Sequence, residues 1–293
     1  MSLHELVDDY YSSYDYRNLR DETKVQYKYF IGVMLNTEVD GDKLSTLDYK
    51  SVPTRVAKSA YNQWCEKGIH MANHIMSVTR ILFNHGVREE LCQLNPFANV
   101  RRRTVERRKT VWGRDDVQKL LTVAYSDFST RNIGLIAHMA YEWCQRLGDM
   151  RMLTWDNIDF DTHTVHIEQS KRHADVHLPI SDDLFDMLQQ QEADFGFQPY
   201  VAPRPNSYRG EYIPYSLHKL PLHGRELMNA AGLPKELRLS DLRRTGVTEM
   251  VEAGVGMPAI MSVTGHASPN SVKPYLKNTL KSAELALTTR RNT

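Results

Sequence analysis

Two arginines in the second half of the chain fall on helical faces that are otherwise apolar. Arg146 follows Trp143 at the point where an apolar helical stripe would continue. Arg243 shares one helical arc with Val247 and Val251. One arginine in such a position usually belongs to an internal ion pair. Two of them in one domain favour a phosphate-binding site, because the planar guanidinium group matches the oxygen atoms of a phosphate.

Three further residues have side chains suited to phosphate chemistry. Lys171 lies in a polar turn between two segments that alternate apolar and polar residues, and His266 follows a glycine. Tyr275 shares helical spacing with Val272 and Leu276. Taken singly, each has an ordinary interpretation as a surface residue or a half-buried one. Their meaning therefore depends on their order along the chain.

That order resembles the tyrosine recombinases, the family that includes the phage integrases. The matching residues are, in chain order, Arg146 and Asp149 in RLGD, Lys171 in QSKRHADVHLPI, Arg243 in SDLRRT, His266 after Gly265, and Tyr275 in SVKPYLKN. Any one of these motifs arises by chance in many chains of this length, whereas the ordered set is specific.

The resemblance implies a role for each of these residues. Tyr275 would attack a DNA phosphate and form a 3′-phosphotyrosine, while Arg146 and Arg243 stabilise the charge that develops on the phosphate oxygens. Lys171 would act as the general acid for the departing 5′-oxygen. His266 would orient the phosphate or assist the nucleophile. Because the covalent bond retains the phosphodiester energy, neither ATP nor a metal or other cofactor is expected.

The second motif departs from the family pattern at two positions, with Ser240 at the usual histidine and Arg244 at a position that is often histidine. A serine hydroxyl is shorter than an imidazole and cannot carry charge. Ser240 has one interpretation as the N-cap of the helix after Asp241. In the other, a phosphate donor is missing, and catalysis is slower by roughly 100-fold unless another residue replaces it.

A basic segment at residues 101–109, RRRTVERRK, precedes these motifs. It is either a solvated interdomain linker or a contact with nucleic-acid phosphates. The second interpretation assigns DNA binding to Arg101, Arg102, Arg103, Arg107, Arg108 and Lys109.

Hydrophobic periodicity predicts a mainly α fold of the α+β class. Helices are predicted at 23–35, 52–67 and 72–85, so that residues 1–100 form an all-helical DNA-binding domain. Residues 101–111 are then an interdomain linker, and 112–293 a catalytic domain. This arrangement fits a two-domain recombinase or a trimmed chain.

The predicted catalytic domain is mostly helical, with one small antiparallel sheet. A helix at 133–144 leads to Arg146, and strands at 158–168 and 176–180 form a β-hairpin around Lys171. Helical periodicity then returns towards the C-terminus.

The preferred function is a site-specific DNA recombinase of the integrase type, from a phage or another mobile element. The resemblance implies a homotetramer that binds two double-stranded DNA sites, with DNA-bending proteins as possible accessories. One alternative is a type IB topoisomerase or telomere resolvase. Another is a catalytically silent DNA-binding regulator with the same fold, which the Ser240 departure permits.

Composition bounds the cellular setting. The chain contains no apolar run long enough to span a membrane, and its N-terminus is acidic where a secretory signal would be basic. The cysteines show neither a disulfide framework nor a metal-ligand spacing: Cys65, Cys92 and Cys144. We therefore expect no metal site and a cytoplasmic location. The resemblance implies a bacterial host cell and a function associated with the nucleoid.

Overall fold

The structure, a computed structural model, describes residues 2–106, 108–171, 173–207 and 209–275, together with 284, 287, 288, 290 and 291. The chain divides into two compact units, Met1–Arg108 and Lys109–Thr293. Helices dominate both, and small antiparallel sheets complete them, so the predicted fold class is confirmed. Across the described residues, no helix has both the length and the apolar character needed to cross a membrane.

The first unit is built around amphipathic helices. They are α1 (Leu3–Ser12), α2 (Tyr14–Arg17), α3 (Asp21–Leu35), α4 (Thr54–Lys67) and α5 (Ile69–Arg88). In α5 the residues Ile75, Val78 and Leu82 recur at three- and four-residue spacing and are buried, which directs one face of the helix into the core.

A short hairpin follows α3 in the first unit, formed by β1 (Glu38–Val39) and β2 (Asp42–Lys43). Its turn residues Asp40 and Gly41 have φ angles of 56° and 91°, as a type I′ turn requires. The hairpin is absent from the all-helical expectation for this half. Its Asp-Gly pair is nevertheless a recognised hairpin signal.

The second unit surrounds one central helix. Its helices are α6 (Arg114–Tyr125), α7 (Phe128–Glu142), α8 (Leu147–Met150), α9 (Asp182–Phe195), α10 (Lys219–Ala230), α11 (Leu242–Glu252), α12 (Met257–Thr264) and α13 (Pro269–Val272). Every residue of α7 from Arg131 to Ala140 is buried. Helix α7 is therefore wrapped on all sides, which is unlike a surface helix with one apolar stripe.

The sheet of the second unit has three strands in the order β3 (Ile158–Asp159), β4 (Thr164–Glu168) and β5 (Asp175–Pro179). Val165 pairs with Leu178 and Ile167 with Val176, and all four are buried. The expectation of a single strand at 158–168 was wrong, because a turn with His163 at φ 53° separates two strands there. The predicted hairpin around Lys171 is present as β4 and β5.

The C-terminal helices form a small separate core. Cys144, Val247, Ile260 and Val272 are buried together, and Tyr275 packs against them from the edge. Tyr275 ends the 3-10 turn that follows α13. The 3-10 turn that ends at Tyr275 is thus held close to Cys144, two residues before Arg146.

Candidate active site

Arg146 reaches the site from a turn and not from a helical face. Helix α7 ends at Glu142, and Cys144 adopts a left-handed conformation with φ 52°, which turns the chain before Arg146. Arg146 then stands at the N-cap position of α8. The prediction that Arg146 continues the stripe through Trp143 was therefore wrong, although the side chain is still half-buried.

The guanidinium group of Arg146 has two described partners. Its Nη1 atom donates to Gln169 Oε1 at 3.0 Å and lies 3.5 Å from Asp149 Oδ2. The Asp149 side chain is only 3% exposed, and its Oδ1 atom accepts hydrogen bonds from the amide and hydroxyl of Ser170. Asp149 thus joins Arg146 to the turn that carries Lys171.

Arg243 is the most deeply buried cation of the group, at 9% exposure. Its Nη2 atom donates to the Thr264 carbonyl oxygen at 2.9 Å. Its Nη1 atom is buried and has no hydrogen-bond partner among the described residues. Burial and the charge of Arg146 lower the pKa of Arg243, while Tyr275 and Cys144 act in the opposite direction. A buried cation with an unpaired N–H is suited to receiving an anion.

His266 is fixed through Thr264. Thr264 Oγ1 donates to the Ile260 carbonyl oxygen at 2.7 Å, so it accepts from His266 Nδ1 at 2.6 Å. His266 Nε2 lies 3.5 Å from Arg243 Nη2. Gly265 has a φ of 66° at the end of α12, a left-handed conformation that glycine adopts without strain. This turn places the imidazole beside Arg243.

Tyr275 lies at the open side of this group and is half-buried. Its ring centroid is 6.0 Å from that of His266, and the Arg244 guanidinium carbon is 5.4 Å from the same ring. Arg244 therefore makes a cation–π contact with the predicted nucleophile. The sequence signal for this contact is the place of Arg244 in the second motif, at a position that is often histidine.

The structure brings four of the five predicted catalytic residues together. Arg243, His266 and Tyr275 are linked by the contacts above. Arg146 is joined to Arg243 through Gln169, whose Nε2 atom donates to the Thr264 carbonyl oxygen that also accepts from Arg243. The individual roles of these residues stay predictions. Lys171 is exposed in the β4–β5 turn and makes no hydrogen bond or ion pair among the described residues. It is connected to the others only through the backbone of its turn.

Ser240 does not cap α11. It lies exposed within the 3-10 turn Leu239–Asp241, and it is the Asp241 side chain that caps this turn by accepting from the Arg238 amide at 3.1 Å. The N-cap interpretation was wrong because the turn delays the start of the helix. Ser240 instead lines a cavity of about 390 Å³ together with Leu147 and Arg225.

Part of the basic segment is fastened to the first unit. The Tyr61 hydroxyl accepts from the Arg103 amide at 2.6 Å, and Asn73 Nδ2 donates to the Arg103 carbonyl at 2.9 Å. Arg102 Nη1 donates to Ser77 Oγ at 2.9 Å. The guanidinium groups of these two arginines and of Arg101 remain exposed.

The remaining residues predicted to bind DNA are less informative. Arg108 and Lys109 already have interaction partners, and Arg107 lies outside the described residues. Their assignment to DNA stays a prediction.

Comparison with known proteins identifies the chain. The phage integrase family matches residues 112–281, which is more than half of the sequence. The chain belongs to the phage integrase family. It is therefore an enzyme of the tyrosine recombinase class, as the resemblance predicted, and site-specific DNA recombination is its activity class. No curated protein sequence matches this chain.

Several solved structures share the fold. A lambda integrase dimer bound to a COC′ core site has 19% identity and a TM-score of 0.78, with 96% of this chain and 97% of that chain covered. A lambda integrase tetramer bound to a Holliday junction has 20% identity and a TM-score of 0.76, with 95% and 78% covered. The Tn1549 transposon integrase in complex with a circular intermediate DNA has 15% identity and a TM-score of 0.78, with 99% of each chain covered.

Proposed function

We propose that this protein breaks and rejoins DNA through a covalent bond between the Tyr275 phenolic oxygen and a backbone phosphate. The observation that carries the proposal is the unpaired, buried Nη1 atom of Arg243. It belongs to a group that also contains Arg146, His266 and Tyr275, so a phosphate bound there would meet two guanidinium groups and one phenol. That combination is what a transesterification at phosphorus needs.

The chemistry follows from the charges of the site. Attack by the Tyr275 oxygen forms an O–P bond and places added negative charge on the non-bridging oxygens, where Arg146 and Arg243 stabilise it. The bond to the 5′-oxygen breaks, and Lys171 supplies the proton that this oxygen takes up. The proton of the phenol passes to a base, and we assign this role to His266, whose imidazole Thr264 Oγ1 holds beside Arg243. A second DNA 5′-hydroxyl reverses these steps and releases Tyr275.

Duplex DNA is the proposed partner, and the assembly is proposed to be a tetramer on two sites. The exposed guanidinium groups of Arg101, Arg102 and Arg103 support binding to the DNA backbone. A lambda integrase tetramer bound to a Holliday junction, which has a similar fold, supports the proposed tetramer. We place the activity in the cytoplasm of a bacterial host, where nucleoid DNA is accessible.

The test exposes the protein to a library of nicked duplexes and sequences the DNA that becomes covalently attached. Wild-type protein should form an adduct with a defined set of sequences, and Tyr275→Phe should form none while still binding the same DNA. Tyr212→Phe is the matched control, since Tyr212 packs against Phe195 and Phe197 away from this group. An adduct that survives in Tyr275→Phe would refute the assignment of the nucleophile.

A further inference from the structure

Two glutamines are completely buried beneath the candidate active site. Gln145 lies between α7 and α8 and Gln169 directly follows β4, and each is 0% exposed. Gln169 Nε2 donates to Gln145 Oε1 at 2.7 Å, and Gln145 Nε2 donates to the carbonyl oxygens of Trp143 and Val263. Burying two amides is costly unless they are fully hydrogen-bonded, and here they are.

Gln169 connects the two arginines that face the proposed phosphate. Its Oε1 atom accepts from Arg146 Nη1 at 3.0 Å, and its Nε2 atom donates to the Thr264 carbonyl oxygen at 2.8 Å. The same carbonyl oxygen accepts from Arg243 Nη2 at 2.9 Å. One amide and one carbonyl therefore join guanidinium groups that come from different elements of the second unit.

The orientation of the Gln169 amide is determined by its surroundings. If the amide were flipped, its NH₂ group would face the donors of Arg146, and its oxygen would face the Thr264 carbonyl and Gln145 Oε1. Both arrangements are repulsive. As long as these hydrogen bonds are intact, Gln169 therefore turns its Oε1 atom, an acceptor, towards Arg146.

The backbone around Gln169 adds two further constraints. A Cβ atom at Gly265 would lie 2.6 Å from Gln169 Nε2, so the Gly265–His266 turn can approach the amide only because residue 265 is glycine. The backbone N–H of Gln169 donates to the Ala174 carbonyl oxygen, and the backbone carbonyl oxygen of Gln169 accepts from the His173 N–H. These bonds close the turn that carries Lys171.

We infer that Gln169 is a positioning residue that sets the spacing of Arg146 and Arg243 for one phosphate. Gln169 does not touch the phosphate; it holds Arg146 directly and is tied to Arg243 through the Thr264 carbonyl oxygen. The inference rests on the proposed function, because it assigns the arginine pair to a scissile phosphate. Its competitor is a purely structural role, in which Gln169 only fills the core.

The experiment separates these roles with a double-mutant cycle and a matched control. Gln169→Met removes the amide and retains most of the volume. Gln191→Met is the control, since Gln191 is also 0% exposed and donates two hydrogen bonds, to Asn132 and Val201. Both variants are purified as the full chain, and unfolding midpoints, DNA affinity and single-turnover cleavage of the trapped nicked duplex are measured.

We expect comparable losses of stability in the two variants and a loss of cleavage in Gln169→Met alone. The cleavage rate at saturating DNA should fall by about 100-fold, the typical cost of one lost preorganised contact, with DNA affinity nearly unchanged. In an Arg146→Ala background, Gln169→Met should slow cleavage by clearly less than it does in wild type, because only its connection to Arg243 through the Thr264 carbonyl oxygen remains to be lost. Multiplicative losses in the double variant, or an equal loss of cleavage in Gln191→Met, would overturn the inference.

The outcome stays interpretable if the proposed function fails. Absence of any wild-type adduct would refute the function, and ¹⁵N spectra of the arginine side chains would then judge the inference alone. Gln169→Met should shift the guanidinium resonances of both Arg146 and Arg243, whereas Gln191→Met should shift neither. An Arg243 resonance that does not respond to Gln169→Met would contradict the proposed connection.

Discussion

Arg243 is the residue of the site whose substitution should reduce cleavage most directly. Its guanidinium group is buried with Nη1 unpaired among the described residues. Arg243→Ala should lower covalent adduct formation by about 10³-fold, at the upper end of what one preorganised donor contributes. DNA affinity should change far less, since the other cations proposed to contact the DNA backbone are retained. Adduct formation and filter binding measure the two quantities separately.

Arg131 offers a matched control for this prediction. It is buried in the same unit and pairs with Asp194 at 2.7 Å on α9. Arg131→Ala should reduce the unfolding midpoint without selectively reducing cleavage. If Arg243→Ala weakened DNA affinity and cleavage equally, Arg243 would be a general DNA contact and not a transition-state contact.

Ser240 stands at the position where the family pattern has a histidine. It lies exposed, three residues before Arg243, beside a cavity of about 390 Å³. Ser240→His would introduce a donor into this space and should accelerate single-turnover cleavage by up to ~100-fold if it reaches the phosphate. Ser240→Asn, which adds a donor without an ionisable group, is the comparison. An unchanged rate in both variants would show that this side chain does not face the phosphate.

The sequence predicted which residues meet better than it predicted how they are held. The order of the motifs was enough to select Arg146, Arg243, His266 and Tyr275. The contacts of Gln169 with Gln145 and Thr264 join segments that are distant in sequence, and no local periodicity encodes them. The N-cap interpretation of Ser240 failed because a cap is judged from the helix start, which the 3-10 turn displaced.

At the scale of elements, the turns decided where sequence reasoning failed. Periodicity correctly indicated α7 but extended the apolar stripe of this helix beyond Glu142, where the helix ends. The chain changes direction there because Cys144 has a left-handed conformation. The burial of α7 on all sides also hides where its stripe ends. Positive φ angles at non-glycine residues are rare, so the sequence gives little warning of them. For the same reason, the prediction joined β3 and β4 into one strand, because it missed the turn at His163.

Gly265 provides a test of one such turn. Gly265→Ala should destabilise the protein by more than Gly232→Ala, although the two glycines have φ angles of 66° and 67°. A Cβ atom at 265 would lie 2.6 Å from Gln169 Nε2, whereas one at 232 would meet nothing within 4 Å. We expect about 1 kcal/mol of strain from the φ angle in both, with the clash added only at 265. Equal losses in urea unfolding would contradict the close approach.

The basic segment is open to a test at the same scale. Tyr61→Phe removes the hydroxyl that accepts from the Arg103 amide and donates to Asn73 Oδ1. Two hydrogen bonds lost at one site should destabilise the segment by about 1–3 kcal/mol. Limited trypsin digestion should then cut at 101–103 faster than in wild type.

Tyr27→Phe is the control, because the Tyr27 hydroxyl forms no hydrogen bond in the described part of the chain. Unchanged cleavage would mean that the segment is held by other contacts.

For the whole molecule, buried acids with raised pKa values predict a loss of stability at alkaline pH. Burial raises the pKa of Tyr215 to about 12, against a weaker opposing effect of Arg204, and burial raises the pKa of Cys144 to about 12. Burial likewise raises the pKa of Tyr10 in the first unit. Between the ordinary and the raised values, the folded protein keeps protons that the unfolded chain has released.

The direction of the pH effect follows from that difference in bound protons. The contribution of these groups is fully present below their unfolded pKa values and is lost as the pH rises towards the folded ones. For Tyr215 alone the loss reaches about 1 kcal/mol by pH 11, because each pKa unit corresponds to roughly 1.4 kcal/mol. Urea unfolding at pH 8, 9, 10 and 11 should show a free energy of unfolding that falls as the pH rises.

Tyr215→Phe should flatten this dependence of the unfolding free energy on pH above pH 10, whereas a substitution of the exposed Tyr29 to phenylalanine should not. A curve that stays level to pH 11, or one that both variants flatten equally, would refute the assignment of the alkaline transition to buried groups.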